Sequence, residues 1–215
     1  MFNFGSTLLG QIVQHPILLF TVFFPLLYSI IAHEIAHGAV ALLFGDQTAK
    51  RNQRLTLNPI PHIDPIGMFL LLIANFGWAK PVPVDYRSFS HSRLAIIAVS
   101  LAGCFVNILI ASVAYALLQF PSIASVPLLF DSLRQIAFIN IILGAFNLIP
   151  IPPLDGSKVL MAFLPLETQI ALSRIEPYGF FILIALLVTG ILDPVIRFMQ
   201  IMILGLIQLI FHLFG

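Results

Sequence analysis

The residues of this chain best suited to chemistry are two histidines and a glutamate in the pentapeptide HEIAH, residues 33–37. His33 and His37 are four residues apart, so on a helix both side chains point to the same face. Neutral imidazoles on one face are good ligands for zinc, and Glu34 between them can take a proton from a water molecule on the metal. The pentapeptide therefore predicts a zinc site that activates water.

The pentapeptide lies within a long apolar run, residues 16–44, in a chain of 215 residues that is 60% hydrophobic and only 9% charged. Soluble globular domains carry about 25% charged residues, so this composition predicts an integral membrane protein. Ionisable groups are costly to place in an apolar span, and a cluster of three indicates a functional site. Together these features indicate a metalloprotease whose active site lies in the membrane.

Charge and cysteine content exclude other classes of function. The formal net charge is +1, so the charge balance gives no reason to expect nucleic acid as a partner. The single cysteine, Cys104, excludes an intrachain disulfide and a structural zinc site built from cysteines. The first residues contain no Lys or Arg, so we do not expect a cleaved signal peptide.

The polar stretches of the sequence have the length of loops rather than of domains. The longest are residues 45–65 and 80–93. We therefore expect a single membrane-embedded domain over residues 1–215, with a catalytic core at about 16–164 and C-terminal helices at about 177–214.

Several apolar runs approach or exceed the 20 or so residues that a transmembrane helix needs, which predicts an all-α polytopic membrane protein with about five or six transmembrane helices. The predicted spans are 16–44, 94–120, 132–149, 177–192 and 195–214, with a weakly indicated interfacial helix in 1–15 and a short helix in 157–164. Residues 67–78 are apolar but too short to cross a bilayer. We expect a re-entrant or β-like segment near 67–84, whose edge could hold a substrate extended.

The distribution of Lys and Arg predicts the orientation in the membrane. These residues cluster at 50–54, 80–93 and 158–174, whereas 121–131 has none, so the three basic loops are expected in the cytoplasm. His37 lies seven residues before Phe44, about 10 Å along a helix. We therefore expect a multi-pass protein of the plasma membrane with its metal inside the bilayer, nearer the cytoplasmic face.

Two histidines do not complete a catalytic zinc site, which usually has three protein ligands. The third histidine of metzincins would fall at Leu43, which excludes that class. Thermolysin-like enzymes use a downstream glutamate, but Glu167 and Glu176 lie in no convincing motif. Asp155 is the best candidate because it follows a proline-broken segment at the end of a span, where irregular backbone must line a cavity or the interface. From the residues alone, a β-turn aspartate in Leu-Asp-Gly is equally possible.

Two motifs stand out in the sequence, HEIAH at 33–37 and NLIPIPPLDG at 147–156. With these motifs the chain resembles the site-2 protease family of intramembrane zinc metalloproteases, in its compact prokaryotic form without a PDZ domain. The resemblance covers about residues 29–160. Supporting stretches are LNP at 57–59, HIDPIG at 62–67, GWAKPVP at 77–83 and AGCFVN at 102–107. The chain departs from the family pattern at Cys104, where a proline is common, and at 85–87, where Asn-Pro often follows.

The resemblance implies a zinc endopeptidase that cleaves within or near a transmembrane segment of another membrane protein, in regulated intramembrane proteolysis. It implies His33, His37 and Asp155 as ligands of one Zn²⁺ per chain, and Glu34 as general base and acid. Asn147 matches a residue that helps to hold the substrate or the oxyanion, which is the expected use of an uncharged donor in a low-dielectric site.

Other interpretations of these residues stay open at this point. A membrane metal-ion transporter or channel also places polar residues in the membrane interior, although it has no need of Glu34 between two ligands. A catalytically inactive scaffold is a third possibility. Asn147 could satisfy carbonyls at a helix end, Asn107 could form an interhelical hydrogen bond, and His62 and Asp64 are best explained as local caps in a proline-rich loop.

Overall fold

The structure, a computed structural model, describes residues 7–89 and 92–214 and is helical, with no strand in these residues. The helices are α1 Leu8–Gln14, α2 Phe24–Leu43, α3 Thr48–Arg51, α4 Pro65–Ala74, α5 Arg93–Leu118, α6 Pro121–Ala124, α7 Pro127–Asn147, α8 Asp155–Met161, α9 Leu166–Val188 and α10 Asp193–Phe214, with a π-helical turn at Leu19–Phe23 and 3₁₀ turns at Ile60–His62 and Tyr86–Phe89. Five of the helical segments in this part of the chain are long and apolar enough to cross a membrane: 19–43, 93–118, 127–147, 167–188 and 193–212. The expected all-α polytopic fold is confirmed.

Prolines and short polar side chains begin the helices. Asp64 caps α4 through its Oδ1, which accepts hydrogen bonds from the N–H groups of Ile66 and Gly67, and Pro65 follows in the first turn. Ser92 caps α5 in the same way, with Oγ accepting from the N–H of Ala95. Proline is well tolerated in a first helical turn because its missing N–H would have no partner there.

A bundle of α2, α5 and α7 forms the centre of the protein. Small buried residues on α5 permit the close approach of its neighbours, as is typical of membrane helices: Ala95, Ala102, Gly103, Ala111 and Ala114. Helix α10 covers α5 and α7 through Ile203 and Ile207, which pack against Ala111 and Ala145. Helices α5 and α7 thus pack against α2, the helix that carries the histidines.

Two segments differ from expectation in their details. The segment expected to be re-entrant or β-like begins as the ten-residue helix α4 and continues as irregular backbone, because Asp64 and Pro65 start a helix and Pro81 and Pro83 lack the N–H groups of a strand ladder. Helix α9 begins at Leu166 and runs through Pro177, which we expected to begin the helix. Proline within a helix is tolerated in membrane-type helices because neighbouring groups satisfy the freed carbonyl. Of the interfacial helix expected in 1–15, residues 1–6 lie outside the described residues.

Candidate active site

The two histidines of α2 and the aspartate that begins α8 meet in the interior of the protein. His33, His37 and Asp155 are only 5%, 7% and 7% exposed. Asp155 Oδ2 lies 3.0 Å from Nε2 of each histidine, and the two Nε2 atoms are 3.1 Å apart. Ligand atoms 2.0–2.1 Å from a tetrahedral zinc ion lie about 3.3 Å from one another. The triangle therefore has the size and the donor types of a zinc site, and no other such group occurs in residues 7–89 and 92–214.

Hydrogen bonds on the far side of each imidazole orient the two histidines. His37 Nδ1 lies 2.7 Å from the carbonyl oxygen of Val99, which can only accept, so Nδ1 carries the proton and Nε2 keeps its lone pair. His33 Nδ1 lies 2.6 Å from Oδ1 of Asn107. Such outer partners fix the ring orientation of metal-binding histidines. Asn107 therefore forms an interhelical hydrogen bond that also contacts a candidate ligand.

Two closely packed glycines allow the three candidate ligands to approach one another. Gly103 of α5 lies against the ring of His33, and a Cβ there would be 2.5 Å from Cε1 and Nε2 of that ring. Gly156 lets α8 begin against the end of α7, because a Cβ there would overlap the carbonyl oxygen of Leu148. The segment before Asp155 is held by Ile149 and Leu154, which are buried against Leu183 and Leu192.

Glu34 is held by the irregular segment that follows α4. Its Oε2 accepts a hydrogen bond of 2.9 Å from the backbone N–H of Val82. The N–H of Lys80 donates to the carbonyl of His62 at 2.8 Å, and the N–H of Asp85 donates to Asp46 Oδ2 at 2.7 Å. Because these donors are used within the fold and Pro81 has none, the segment has few N–H groups left for an extended substrate.

Asp46, just beyond the end of α2, anchors this segment. Its Oδ1 accepts hydrogen bonds from the N–H and the hydroxyl of Thr48, and its Oδ2 accepts from Asp85. Burial alone would raise the pKa of the Asp46 carboxyl, but the hydrogen bonds from Thr48 and Asp85 hold its pKa below the ordinary value. The ionised carboxylate therefore ties α2 to the segment that holds Glu34.

A polar cavity of about 300 Å³ opens onto the ligand triangle and Glu34. Asn147, the last residue of α7, lines it, and its Nδ2 donates to the carbonyl of Leu143 at 3.0 Å. Lys158 also lines it, with Nζ 3.9 Å from Asp155 Oδ1 and 5.3 Å from the centre of the Tyr86 ring. Lys158 was missed by sequence reasoning, although its position three residues after Asp155 on a helix indicates this proximity.

An apolar groove of about 620 Å³ adjoins the polar cavity and shares His33, Glu34 and Asn147 with it. Its wall is formed by the aromatic rings of Phe76, Trp78 and Phe180, of which Trp78 and Phe180 stack edge to face with centroids 4.7 Å apart. The groove therefore joins a hydrophobic surface directly to the candidate ligands and to Glu34.

Two further polar candidates from the sequence have structural partners outside this cavity. His62 is fully buried, with Nε2 2.9 Å from the carbonyl oxygen of Thr56, and Asp64 caps α4. Sequence reasoning missed two buried residues near the site, Ser29 and Asn140. Their positions in the sequence could have indicated them. Both are polar residues in otherwise apolar helices, and helical spacing places Ser29 on the same face as His33, four residues later, and Asn140 on the same face as Asn147, seven residues later.

Comparison with known proteins assigns the chain to a family. The family model for peptidase family M50 matches residues 122–190. YwhC of Bacillus subtilis, whose name places it among the zinc metalloproteases, is 41% identical over 171 residues, which are 76% of this chain and 78% of YwhC. The chain belongs to peptidase family M50.

More distant relatives of this M50 peptidase have names of the same kind. Rip2 of Mycolicibacterium smegmatis is 32% identical over 172 residues, which are 78% of this chain and 66% of Rip2. The zinc metalloprotease MJ0392 of Methanocaldococcus jannaschii is 26% identical over 164 residues, which are 75% of this chain and 40% of that protein. No solved structure gives a significant match.

Family membership confirms the resemblance to site-2 proteases and the reaction class. This M50 peptidase is a zinc-dependent metalloendopeptidase with several membrane-spanning helices. Zinc is its cofactor, and the chemistry of the His, His, Asp group fits that metal, since imidazole nitrogen and carboxylate oxygen are its usual ligands in proteases.

Proposed function

We propose that this M50 peptidase hydrolyses a peptide bond in or near a transmembrane segment of another membrane protein, with His33, His37 and Asp155 as its zinc ligands. The observation that carries the proposal is the convergence of the three ligand atoms to within 3.0–3.1 Å of one another. Two of them lie on a helix that is long and apolar enough to cross a membrane. His37 is six residues before the end of that helix, or about 9 Å along its axis, which supports a site within the bilayer.

Glu34 is proposed as the general base and acid. Zinc held by the three ligands would polarise the scissile carbonyl and lower the pKa of a water molecule. Oε2 of Glu34 is fixed by the Val82 N–H, and the side chain lines the polar cavity, so its second oxygen is proposed to face the attacking water. That oxygen takes a proton from the attacking water and passes it to the leaving amine. The fixed carboxylate needs little reorganisation during the reaction.

Asn147 is proposed to stabilise the developing oxyanion. An amide nitrogen has two N–H donors, and in Asn147 one of them is used by the carbonyl of Leu143. The remaining donor lies on a side chain that lines the cavity shared with Glu34 and Asp155. An uncharged donor at this position stabilises negative charge on the substrate oxygen without competing for the metal.

The apolar groove supports a hydrophobic substrate. An amide within a helix is hydrogen-bonded and shielded by side chains, so a transmembrane segment must unwind before it is cleaved. The groove beside Glu34 offers aromatic contacts to such an unwound segment. Cleavage of a membrane-anchored protein at this depth would release its soluble part, which is the basis for proposing a role in regulated intramembrane proteolysis.

Metal content of purified protein tests the ligand set. We expect about one zinc per chain in the wild type and in Glu34→Gln, and loss of zinc in Asp155→Ala, because removing one of three ligands leaves an incomplete site. Elemental analysis in mild detergent makes the measurement. Folded wild-type protein without zinc, or Asp155→Ala with a full complement, would contradict the proposed ligands.

Activity of Glu34→Gln tests the proposed mechanism. The amide keeps the shape of the carboxylate but cannot take a proton, so cleavage of a reconstituted membrane-protein substrate should fall at least about 100-fold while zinc stays bound. A variant that cleaves normally would remove Glu34 from the mechanism. A variant that instead lost only transport of metal ions across the vesicle membrane would favour a transporter.

A further inference from the structure

Four polar side chains form a continuous hydrogen-bonded chain through the apolar centre of the bundle. Asn140 of α7 donates from Nδ2 to Ser29 Oγ at 2.8 Å and to the carbonyl of Ile136 at 2.9 Å. Asn107 of α5 donates from Nδ2 to Asn140 Oδ1 at 2.8 Å. Asn107 Oδ1 faces His33 Nδ1 at 2.6 Å. Asn107 and Asn140 are fully buried.

One backbone carbonyl determines which group donates and which accepts in every hydrogen bond between these side chains. The carbonyl oxygen of Ile136 can only accept, so the NH₂ group of Asn140 must face it and Oδ1 of Asn140 must face Asn107. Asn107 then presents its own NH₂ group to Asn140, and that group also lies 3.4 Å from the carbonyl of Ser29. Oδ1 of Asn107 is left for His33, whose Nδ1 must therefore carry the proton.

The proton position decides whether His33 can bind a metal. With the proton on Nδ1, the lone pair of Nε2 faces His37 and Asp155. If the Asn107 amide turned over, its NH₂ group would face Nδ1, the proton would move to Nε2, and the lone pair would point away from the site. Turning is opposed because it would set Oδ1 of Asn107 against Oδ1 of Asn140. If both amides turned, Oδ1 of Asn140 would instead face the carbonyl oxygen of Ile136.

We propose that Asn140 and Ser29 are positioning residues that act through Asn107 to hold His33 in the tautomer that binds zinc. The inference rests on the proposed function, since it takes His33 as a zinc ligand. None of the three residues touches the other ligands through these bonds. Their effect is on the orientation of one imidazole, and it extends across α2, α5 and α7.

The first test is the zinc affinity of Asn140→Leu, a variant of similar volume that can neither donate nor accept. Loss of a group that hydrogen-bonds a metal ligand directly typically weakens metal binding about 10–100-fold. Asn140 is one hydrogen bond further from His33. We therefore expect a rise in the zinc Kd at the lower end of that range, about 10-fold. Competition with a chelator in detergent measures it, and size-exclusion chromatography confirms folding. Wild-type zinc affinity in folded Asn140→Leu would overturn the proposal.

The second test combines Asn140→Leu with Asn107→Asp. Both oxygens of a carboxylate accept, so the Asn107→Asp side chain holds the proton of His33 Nδ1 whichever way it turns. In this background Asn140→Leu should change the zinc Kd by no more than about twofold. If Asn140→Leu weakens binding by the same factor in both backgrounds, Asn140 contributes only packing and the proposal fails.

Two further variants complete the design. Ile139→Ala makes a cavity beside Asn140 on α7, where Ile139 is also buried, and should lower thermal stability while leaving the zinc Kd within about twofold of wild type. If Asn140→Leu does not fold, Asn140→Ala serves in its place, since it also removes both the donor and the acceptor and should raise the zinc Kd in the same direction. Wild-type zinc affinity in folded Asn140→Ala would overturn the proposal.

The result separates the two proposals. Wild-type protein that bound no zinc would contradict the proposed function itself. Wild-type protein that bound zinc, with Asn140→Leu binding equally well, would contradict only the positioning role. Nitrogen-15 spectra of the histidines give a readout without metal, because the shifts of Nδ1 and Nε2 differ between the two tautomers.

Discussion

The two histidines are oriented by acceptors of different kinds, and this difference predicts which ligand is more easily perturbed. His37 faces the main-chain carbonyl of Val99, which no side-chain substitution removes. His33 faces the side chain of Asn107, and its ring lies against Gly103. Substitutions on α5 should therefore act on His33 before they act on His37.

Gly103→Ala should weaken zinc binding without weakening the helix. The added Cβ would lie 2.5 Å from two atoms of the His33 imidazole, so the ring must move. Alanine is more favourable than glycine within a helix by about 1 kcal/mol, so a loss cannot be assigned to helix propensity. We expect the zinc Kd to rise about 10-fold or more, as measured by chelator competition.

Gly205→Ala is the matched control for this substitution. It adds the same methyl group within α10, where a Cβ would have no heavy atom within 4 Å among the described residues. Zinc affinity should stay unchanged and stability should rise slightly. Equal zinc affinity in Gly103→Ala and wild type would show that the His33 ring does not depend on the space that Gly103 provides.

The role of a residue could be predicted from the sequence where it depends on neighbours within one helix. It was harder to predict where it depends on a residue of another helix. HEIAH is one turn of a single helix, so its ligand geometry follows from helical spacing alone. Asp155 required the family resemblance, because a turn aspartate has the same local sequence. The role of Asn140 could not be read from its own helix, since its partners Ser29 and Asn107 lie on two other helices.

At the scale of elements, the ionised Asp46 carboxylate connects α2 to the segment that holds Glu34. Asp46→Asn should destabilise the protein at neutral pH, because the amide places an NH₂ group against an N–H donor of Thr48 or Asp85. Hydrogen bonds to a buried charged group contribute about 1.5–3 kcal/mol, which corresponds to a drop of several degrees in apparent Tm.

The pH dependence of this effect follows from the direction of the pKa shift. The folded-state pKa of Asp46 lies below the ordinary value of 3.8, so the stabilisation is complete well above pH 3.8 and is lost as the pH falls through the folded-state pKa. As the pH falls below the folded-state pKa, the difference in Tm between Asp46→Asn and wild type should become smaller. A difference that stayed constant would mean that the charge of Asp46 is not its cause.

Asp131→Asn is the control for loss of a carboxylate. Asp131 is exposed, and its nearest described cation is Arg134, 3.9 Å away. Exposed pairs contribute little, so we expect a change within about 0.5 kcal/mol. A comparable loss of stability in both variants would point to a general effect of charge.

Element boundaries were predictable where a cap or a proline stands at a helix start. Asp193 and Pro194 begin α10, as expected for proline in a first turn. The helical part of α4 was not predicted, because a short apolar run is compatible with either the helical or the strand period of hydrophobic residues. Asp64, which caps the first turn, favours the helix. For α9 the prediction of a start at Pro177 was wrong, because the helix begins at Leu166 and continues through this proline. Whether a helix continues through a proline depends on its surroundings and not on local propensity.

At the scale of the whole molecule, the described parts of the three basic segments lie at one end of the bundle, together with the polar cavity. Arg54 donates to the carbonyl of Lys80 at 2.7 Å, and Lys158 lies over the ring of Tyr86. Helix α5 begins at this end and has 26 residues, about 39 Å in length. The connection that follows it, residues 119–126, is therefore at the opposite end. Positive residues favour the cytoplasmic side, so the cavity is proposed to open toward the cytoplasm.

Labelling of single introduced cysteines tests this orientation. The native Cys104 is buried, so wild-type protein should resist a membrane-impermeant maleimide and serves as the background control. Ser122→Cys, in the exposed connection after α5, should be labelled in intact cells, whereas Asn52→Cys, in the basic segment near Arg54, should be labelled only after the membrane is permeabilised. The reverse pattern would place the basic segments and the polar cavity outside the cytoplasm. In that case cleavage would release the outer part of the substrate rather than its cytoplasmic part, even with the proposed zinc site intact.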